Sequence, residues 1–348
     1  MTSRLASAMV IFLVAFLAVG CAQRVVDKEQ YSQEEKIVIR FSHVVPQNTP
    51  KGLAALRFAQ LVEERTEGRV EVQVFPNSTL YKDGEELEAL QTGSVQLVAP
   101  TTSKLGKMFP RWQLFDLPYA FETRHEVHRA VDGEIWEELI QDFNGTNIKA
   151  LAFWDNGFKQ LTNNHHKIVS PDDCNGLLFR VMINSKVLEE QFRVLKADPV
   201  PIVFSELYRA LEIQAVDGQE NTISNIYAKK FHQVQRYLTV SNHGYLGYVV
   251  LTNAKYWDNL PPDIRQILED TMAEVTLWER AKAQELNDKD FQKIIAWGQT
   301  DIHVQTARER EEWIERFGPV YRHYVSFVGE KLLRSLEEVK HQERRPVL

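Results

Sequence analysis

Short stretches in which apolar and polar positions alternate recur along the first half of the chain, and stretches of helical spacing separate them. Ile37 to Phe41 alternates and reads as a strand. Lys51 to Arg65 sets Leu53, Leu56, Ala59, Leu61 and Val62 at helical spacing behind Thr49 and Pro50, which mark a helix start. Val70 to Phe75 alternates again, completing a strand–helix–strand unit. The same reading predicts a helix over Glu85 to Thr92, a strand over Val95 to Ala99, a helix over His125 to Phe143 and a strand over Ile148 to Phe153. An unbroken apolar run, Leu177 to Ile183, follows the turn residues of Ser170 to Gly176 and has the length of a buried strand.

The second half continues with a helix over Ser185 to Lys196 and a strand over Pro199 to Val203. A helix then opens at Phe204, with Ser205 as its expected N-cap. Val216 to Asn221 reads as a short strand running into a loop, Lys229 to Gln235 as a helix, and Val240 to Thr252 as a long β-rich return. From Pro262 to about Lys293 the spacing is helical without a break. A short strand at Asp301 to Val304 and helices from Ala307 to Val339 end the pattern. Strands alternating with helices over this length imply an α/β protein of two domains.

Composition narrows the partners. With 348 residues, 44% hydrophobic and 26% charged, the chain can bury a large core. A net charge of −7 and a pI near 5.9 argue against nucleic acid or an anionic membrane surface as partner, so an anionic ligand would need local positive charge. Residues 1 to 21 read as an export signal: Arg4, the apolar stretch Met9 to Val19, and the cleavage region Leu17-Ala-Val-Gly-Cys21. The apolar stretch is too short to span a membrane. Because the region ends in Cys21 it resembles a lipobox, whose cysteine would carry the lipid; Ala18 departs from the usual Leu, and cleavage without a lipid is the alternative. Residues 22–36 then form a polar tether. Cys174, the other cysteine, is left as a lone structural thiol, and no disulfide, cofactor or metal site is expected.

The chemistry centres on Arg180, inside the apolar run. A buried guanidinium either pairs with a carboxylate of the fold or takes one from outside. His43, in the loop after the first strand, is a ligand donor or a loop histidine bonded to backbone; ligands of open α/β sheets sit at such carboxyl ends. Lys82 precedes a helix start and is expected to face something negative. Thr101 offers a hydroxyl that either donates to an anion or caps the next helix. Trp154 and Lys159 flank Asp155-Asn-Gly157-Phe158, a polar segment read as a loop, where Trp154 is a flat wall or a core aromatic and Lys159 a second cation opposite Arg180 or a solvated lysine. Asn221 can both donate and accept, and Tyr245 carries a phenol donor.

Several separated motifs carry a resemblance. Gly176-Leu-Leu-Phe-Arg-Val181 after Pro171-Asp-Asp173, Ala215-Val-Asp-Gly-Gln-Glu-Asn221, and Asp116-Leu-Pro-Tyr119 are similar to the solute-binding proteins of tripartite ATP-independent periplasmic (TRAP) transporters, above all the branch that binds four-carbon dicarboxylates. The resemblance covers Ile37 to about Glu285. It implies a two-domain, periplasmic-binding-protein-like (type II) fold with a hinged cleft and a long helix spanning both domains. Residues 37–153 and 246–285 would form one domain, 154–245 the other, and 286–348 helices packed across them. It further implies a periplasmic protein that holds a small organic acid on Arg180 and delivers it to a TRAP membrane permease, with Phe204 as pocket wall. Two rivals stand beside it: an exported binding protein for another carboxylate, a sugar acid or keto acid, feeding a sensor kinase, and an exported enzyme on organic acids. The enzyme has little support, since the chain has no Gly-x-Ser-x-Gly elbow, no His-Glu-x-x-His and no glycine-rich phosphate loop, and the adjacent pair His165-His166 is poorly placed to chelate one ion.

Overall fold

A computed structural model describes residues 36–341. Cys21, the export signal and nearly all of the tether lie outside the described residues. In chain order the elements are β1 (Ile37–Ser42), α1 (Pro50–Arg65), β2 (Val70–Phe75), α2 (Glu86–Gln91), β3 (Leu97–Val98), α3 (Thr102–Leu105), α4 (Arg124–Val131), α5 (Glu134–Ile140) and β4 (Ile148–Asn163). Then come β5 (Leu178–Val181), α6 (Lys186–Val194), β6 (Asp198–Pro201), α7 (Phe204–Glu212), β7 (Gly218–Thr222), α8 (Ile223–Ala228), β8 (Tyr237–Val240) and β9 (Tyr245–Asn253). The chain ends in α9 (Ala254–Asp258), α10 (Pro262–Trp297), β10 (Asp301–Val304), α11 (Ala307–Arg316), α12 (Gly318–Val328) and α13 (Glu330–His341).

The strands run in the order β2-β1-β3-β9-β4-β7-β5-β6, with β8 on β4 and β10 on β8. β4 belongs to two sheets. Its first part pairs antiparallel with β9, from Ile148 opposite Asn253 to Phe158 opposite Tyr245. Its last residues pair with β7, Lys159 opposite Thr222 to Asn163 opposite Gly218, and with β8. One strand thus carries the chain from a first sheet (β2, β1, β3, β9, β4) into a second (β4, β8, β10, β7, β5, β6), and the β8–β9 connection brings it back.

Helix α10 runs along that crossing and touches both sides of it. Its buried positions Ile264, Leu268, Thr271, Met272, Val275, Thr276, Glu279, Ala283, Asp290 and Ile294 fall at intervals of three, four and seven, the stripe of an amphipathic helix. That stripe packs on α1 beside the first sheet, on β4 at the crossing, and on α8 beside the second. Gly298 ends the helix at φ +69°, the left-handed conformation that suits glycine at this position.

The helical and β assignments agree with the pattern reading over most of the chain, and the departures have local causes. The segment read as a loop from Trp154 to Lys159 is the middle of β4; its polar residues are buried and take partners from other elements, which no local pattern reports. Asn156 donates to the Tyr248 hydroxyl at 2.7 Å and accepts from Ser224 Oγ at 2.9 Å, while the Asp155 N–H donates to Glu279 Oε2 at 2.8 Å. The helix expected over His125 to Phe143 is interrupted at Asp132-Gly133. The helix expected at Lys229 to Gln235 lies earlier, as α8, leaving a single 3₁₀ turn at Phe231–Gln233. Helix α7 begins at Phe204 rather than after Ser205, and no side chain of its own caps it.

Candidate functional site

Arg180 is 1% exposed on β5, between the parallel neighbours β6 and β7. Its Nε donates to the Ile202 carbonyl at 2.9 Å, which fixes the plane of the guanidinium. Among the described residues no carboxylate lies within the 4.0 Å of an ion pair, and its fork makes no further hydrogen bond. Burial pulls its pKa down to about 10, against the more distant Asp83 and Glu220 carboxylates, so it remains a cation at neutral pH.

In front of it is a small cavity of about 20 Å³ between the two sheets. Val44, Val45, Met182, Phe204 and Leu246 supply its apolar wall; Thr101, Asn221, Asn225 and Tyr248 its neutral polar groups; Arg180, Lys104 and Asp83 its charges. Asn221 Oδ1 accepts from the Thr222 N–H (3.1 Å) and Asn225 Nδ2 (2.9 Å), so the amide is oriented and its own nitrogen has no partner among the described residues. Thr101 precedes α3 without capping it, and among the described residues its hydroxyl meets only Met182 Sδ, at 3.8 Å. Two buried donors and a guanidinium fork therefore converge on one apolar-walled gap.

Behind Lys104 stands a cluster that sequence reasoning missed. Lys104 Nζ bonds Asp83 Oδ1 and lies 3.6 Å from Glu86. Burial works against its charge, but the two carboxylates win and raise its pKa. The reverse holds for Asp83: burial pushes its carboxyl up, and Lys104 brings it below the ordinary value. Lys51, also buried, donates to the Ala99 carbonyl at 2.7 Å and lies 3.7 Å from the Tyr248 ring centre; burial and the neighbouring Lys104 lower its pKa to about 7.

Of the residues singled out from sequence, Arg180, Asn221, Thr101 and Phe204 share this wall, and the other five do not. Lys159 is fully buried with its ammonium 2.7 Å from Glu220 Oε1, and His243 Nε2 holds the other carboxylate oxygen at 2.8 Å. It is a paired strand residue, not a second free cation. Trp154 is buried under α10, its indole N–H donating to Thr276 Oγ1 at 3.0 Å. His43 is buried beside Phe41, and burial, with Lys51 nearby, lowers its pKa to about 3, so it is neutral. Lys82 points to solvent from the turn in which its neighbour Asp83 points inward. Tyr245 lines a separate cavity of about 270 Å³ along α10, together with Asp155, Asn156, Phe158 and Asn287.

Comparison with known proteins fits this geometry. The profile of DctP, the bacterial extracellular solute-binding protein, family 7, matches residues 41–326. The C4-dicarboxylate-binding protein DctB of Bacillus subtilis is 44% identical over 321 residues, covering 92% of this chain and 91% of its own. The C4-dicarboxylate-binding periplasmic protein DctP of Rhodobacter capsulatus is 44% identical over 304 residues, 87% of this chain and 91% of its own. A TRAP periplasmic solute-binding protein from Shewanella oneidensis, solved with bound succinate, superposes with a TM-score of 0.85 at 39% identity, over 87% of this chain and 99% of that one. No described helix is long and apolar enough to cross a membrane. The chain belongs to bacterial extracellular solute-binding protein family 7, the DctP family, whose members bind solutes rather than transform them.

Proposed function

We propose that this protein captures a four-carbon dicarboxylate between its two sheets and delivers it to a TRAP membrane permease. The observation that carries the reading is Arg180, a buried cation held in place through Nε and left with a free fork at a cavity. A carboxylate can meet that fork with two parallel hydrogen bonds, and the unpartnered Asn221 nitrogen and Thr101 hydroxyl lie in the same wall. Lys104 also stands in the cavity wall, but Asp83 and Glu86 already answer its charge. Arg180 is thus the cation left to the solute, and among the described residues the second free charge the sequence suggested for Lys82, His43 or Lys159 has no counterpart in this wall.

A C4 dicarboxylate has about eight heavy atoms, enough for micromolar affinity, roughly −8 kcal/mol, within the usual ceiling per atom. A cavity of about 20 Å³ has room for about one water. Entry therefore requires the sheets to part, and their return around the solute, to a gap wider than this one, lets Arg180 from one side and Thr101 from the other touch the same molecule. The relatives support the choice of acid: besides the succinate complex, a Pseudomonas aeruginosa TRAP solute-binding protein was solved with L-malate, at 38% identity and a TM-score of 0.80. A sugar acid is the second reading, favoured by an Advenella mimigardefordensis protein in complex with galactonate at 29% identity and a TM-score of 0.85.

Titration calorimetry with succinate, L-malate, fumarate, galactonate and a neutral sugar tests this. C4 dicarboxylates are expected to bind at micromolar concentration and galactonate far more weakly; tighter binding of galactonate, or of the neutral sugar, would replace the reading. Co-purification with the membrane permease tests delivery, and a mass increase at Cys21 in the exported protein tests the lipid tether.

A further inference from the structure

Helix α7 has no cap of its own. Val203 at its N-cap offers no side-chain oxygen, yet the Phe204 N–H is satisfied: Asp83 Oδ2 accepts from it at 2.6 Å. Asp83 reaches it from the other side of the cleft. It belongs to the turn between β2 and α2, beside the first sheet, whereas α7 lies between β6 and β7 of the second. The other oxygen of the same carboxylate is held by Lys104, also on the first-sheet side.

Three observations show a built contact. Asp83 is 7% exposed and is the one carboxylate in the cavity wall. Next to it, Gly84 has φ +91°, a conformation that L side chains rarely adopt, and a Cβ there would lie 3.3 Å from Ile183 Cδ1 of the second side. Around it, Val44 and Val45 of the first side pack into one apolar cluster with Phe204, Leu207 and Leu211 of the second.

We infer that Asp83 is a positioning residue that latches the two sides of the cleft together over the bound solute, by accepting the first N–H of α7 while anchored on Lys104. The inference rests on the solute-binding reading above. When the sides part, Asp83 keeps Lys104 and loses α7, so the bond belongs to the closed form alone. Its donor, Phe204, is also cavity wall. Each time the latch forms, that ring is drawn over the gap, and the carboxylate sits at the positive end of a helix, where negative charge is favoured. A latch made only on closing slows escape and leaves encounter alone.

Stopped-flow measurement of succinate binding to the wild type, Asp83→Ala and Asp83→Asn tests it, alongside the scattering radius of gyration with and without succinate. Asp83→Ala is expected to raise the dissociation rate about tenfold, the scale of one charge-assisted hydrogen bond, with the association rate unchanged. Asp83→Asn, which keeps an acceptor for the Phe204 N–H, should recover part of the loss. Saturating succinate should compact Asp83→Ala less than the wild type. Wild-type dissociation rates in both variants, or a loss confined to the association rate, would overturn the latch. Should the wild type bind no dicarboxylate, the functional reading fails instead; the latch is then judged by whether Asp83→Ala enlarges the ligand-free protein, and an unchanged radius overturns it. Asp83→Asn serves as the test variant if Asp83→Ala does not fold.

Discussion

Two buried cations near the junction of the sheets illustrate opposite uses of charge. Lys159 on β4 and Arg180 on β5 are both essentially inaccessible, and both strands pair with β7. Lys159 is answered from within. Glu220 comes from β7, and His243 completes the carboxylate's shell, its Nδ1 2.7 Å from the Ser241 hydroxyl. That arrangement fits a neutral imidazole with its proton on Nε2, aimed at Glu220. Among the described residues Arg180 is answered only at Nε, by a backbone carbonyl, and its fork is left to the cavity. A buried charge that the fold neutralises supports the fold; one that it orients and leaves unneutralised is available to a travelling acid.

Substitutions should separate these roles. The largest effect is expected from Glu220→Ala, which strands Lys159 without a counter-charge in the interior: a loss of about 3–5 kcal/mol of unfolding free energy, read by urea titration. A loss under 1 kcal/mol would show that Lys159 has another partner and erase the contrast. Next comes Arg180→Ala, with C4-dicarboxylate binding weakened at least 100-fold in calorimetry and a melting temperature within a few degrees of the wild type. Retained binding would falsify the site. Arg180→Lys should recover little, because an ammonium cannot offer the planar fork.

The pH dependence sharpens the same contrast. Burial pushes the Glu220 carboxyl up, but Lys159 and His243 outweigh it and hold its pKa at about 2, below its ordinary 4.5. The stability it contributes is full above pH 4.5 and lost as pH falls toward 2, up to about 3 kcal/mol. Burial also lowers the His243 pKa, so its contribution begins to fade below its ordinary 6.5. Thermal unfolding between pH 7 and 3 should show a loss of stability that Glu220→Gln largely abolishes; equal slopes in both proteins would contradict the assignment. The smallest effect belongs to Lys82→Ala: within 0.5 kcal/mol in stability and less than threefold in affinity, as expected for an exposed lysine off the cavity wall.

Arg180 was legible because it breaks a rule locally. A charge inside an apolar run bounded by turn residues must have a partner, and no partner stands near it in sequence. Asn221 and Thr101 were legible as polar groups at the ends of strands. The Lys104–Asp83 pair was not. The turn sets Lys82 and Asp83 side by side, and its composition does not say which of them points inward, because a turn directs adjacent side chains in different directions. The same ambiguity separates Tyr245, off this cavity wall, from Tyr248, on it. Both lie on β9, every residue of which is buried, so there is no alternation to tell one face from the other.

The sequence by itself determined the alternation of strands and helices, the long amphipathic α10, the absence of local motifs for catalysis and the presence of one arginine where a strand core should be apolar. These follow from periodicity and from the cost of burying charge, both properties of short stretches. Only the tertiary structure decided that Lys159 is neutralised while Arg180 is free, and that Asp83 reaches across the gap to the start of α7. Such pairings join residues far apart in the chain, and their register depends on the packing of every element between them.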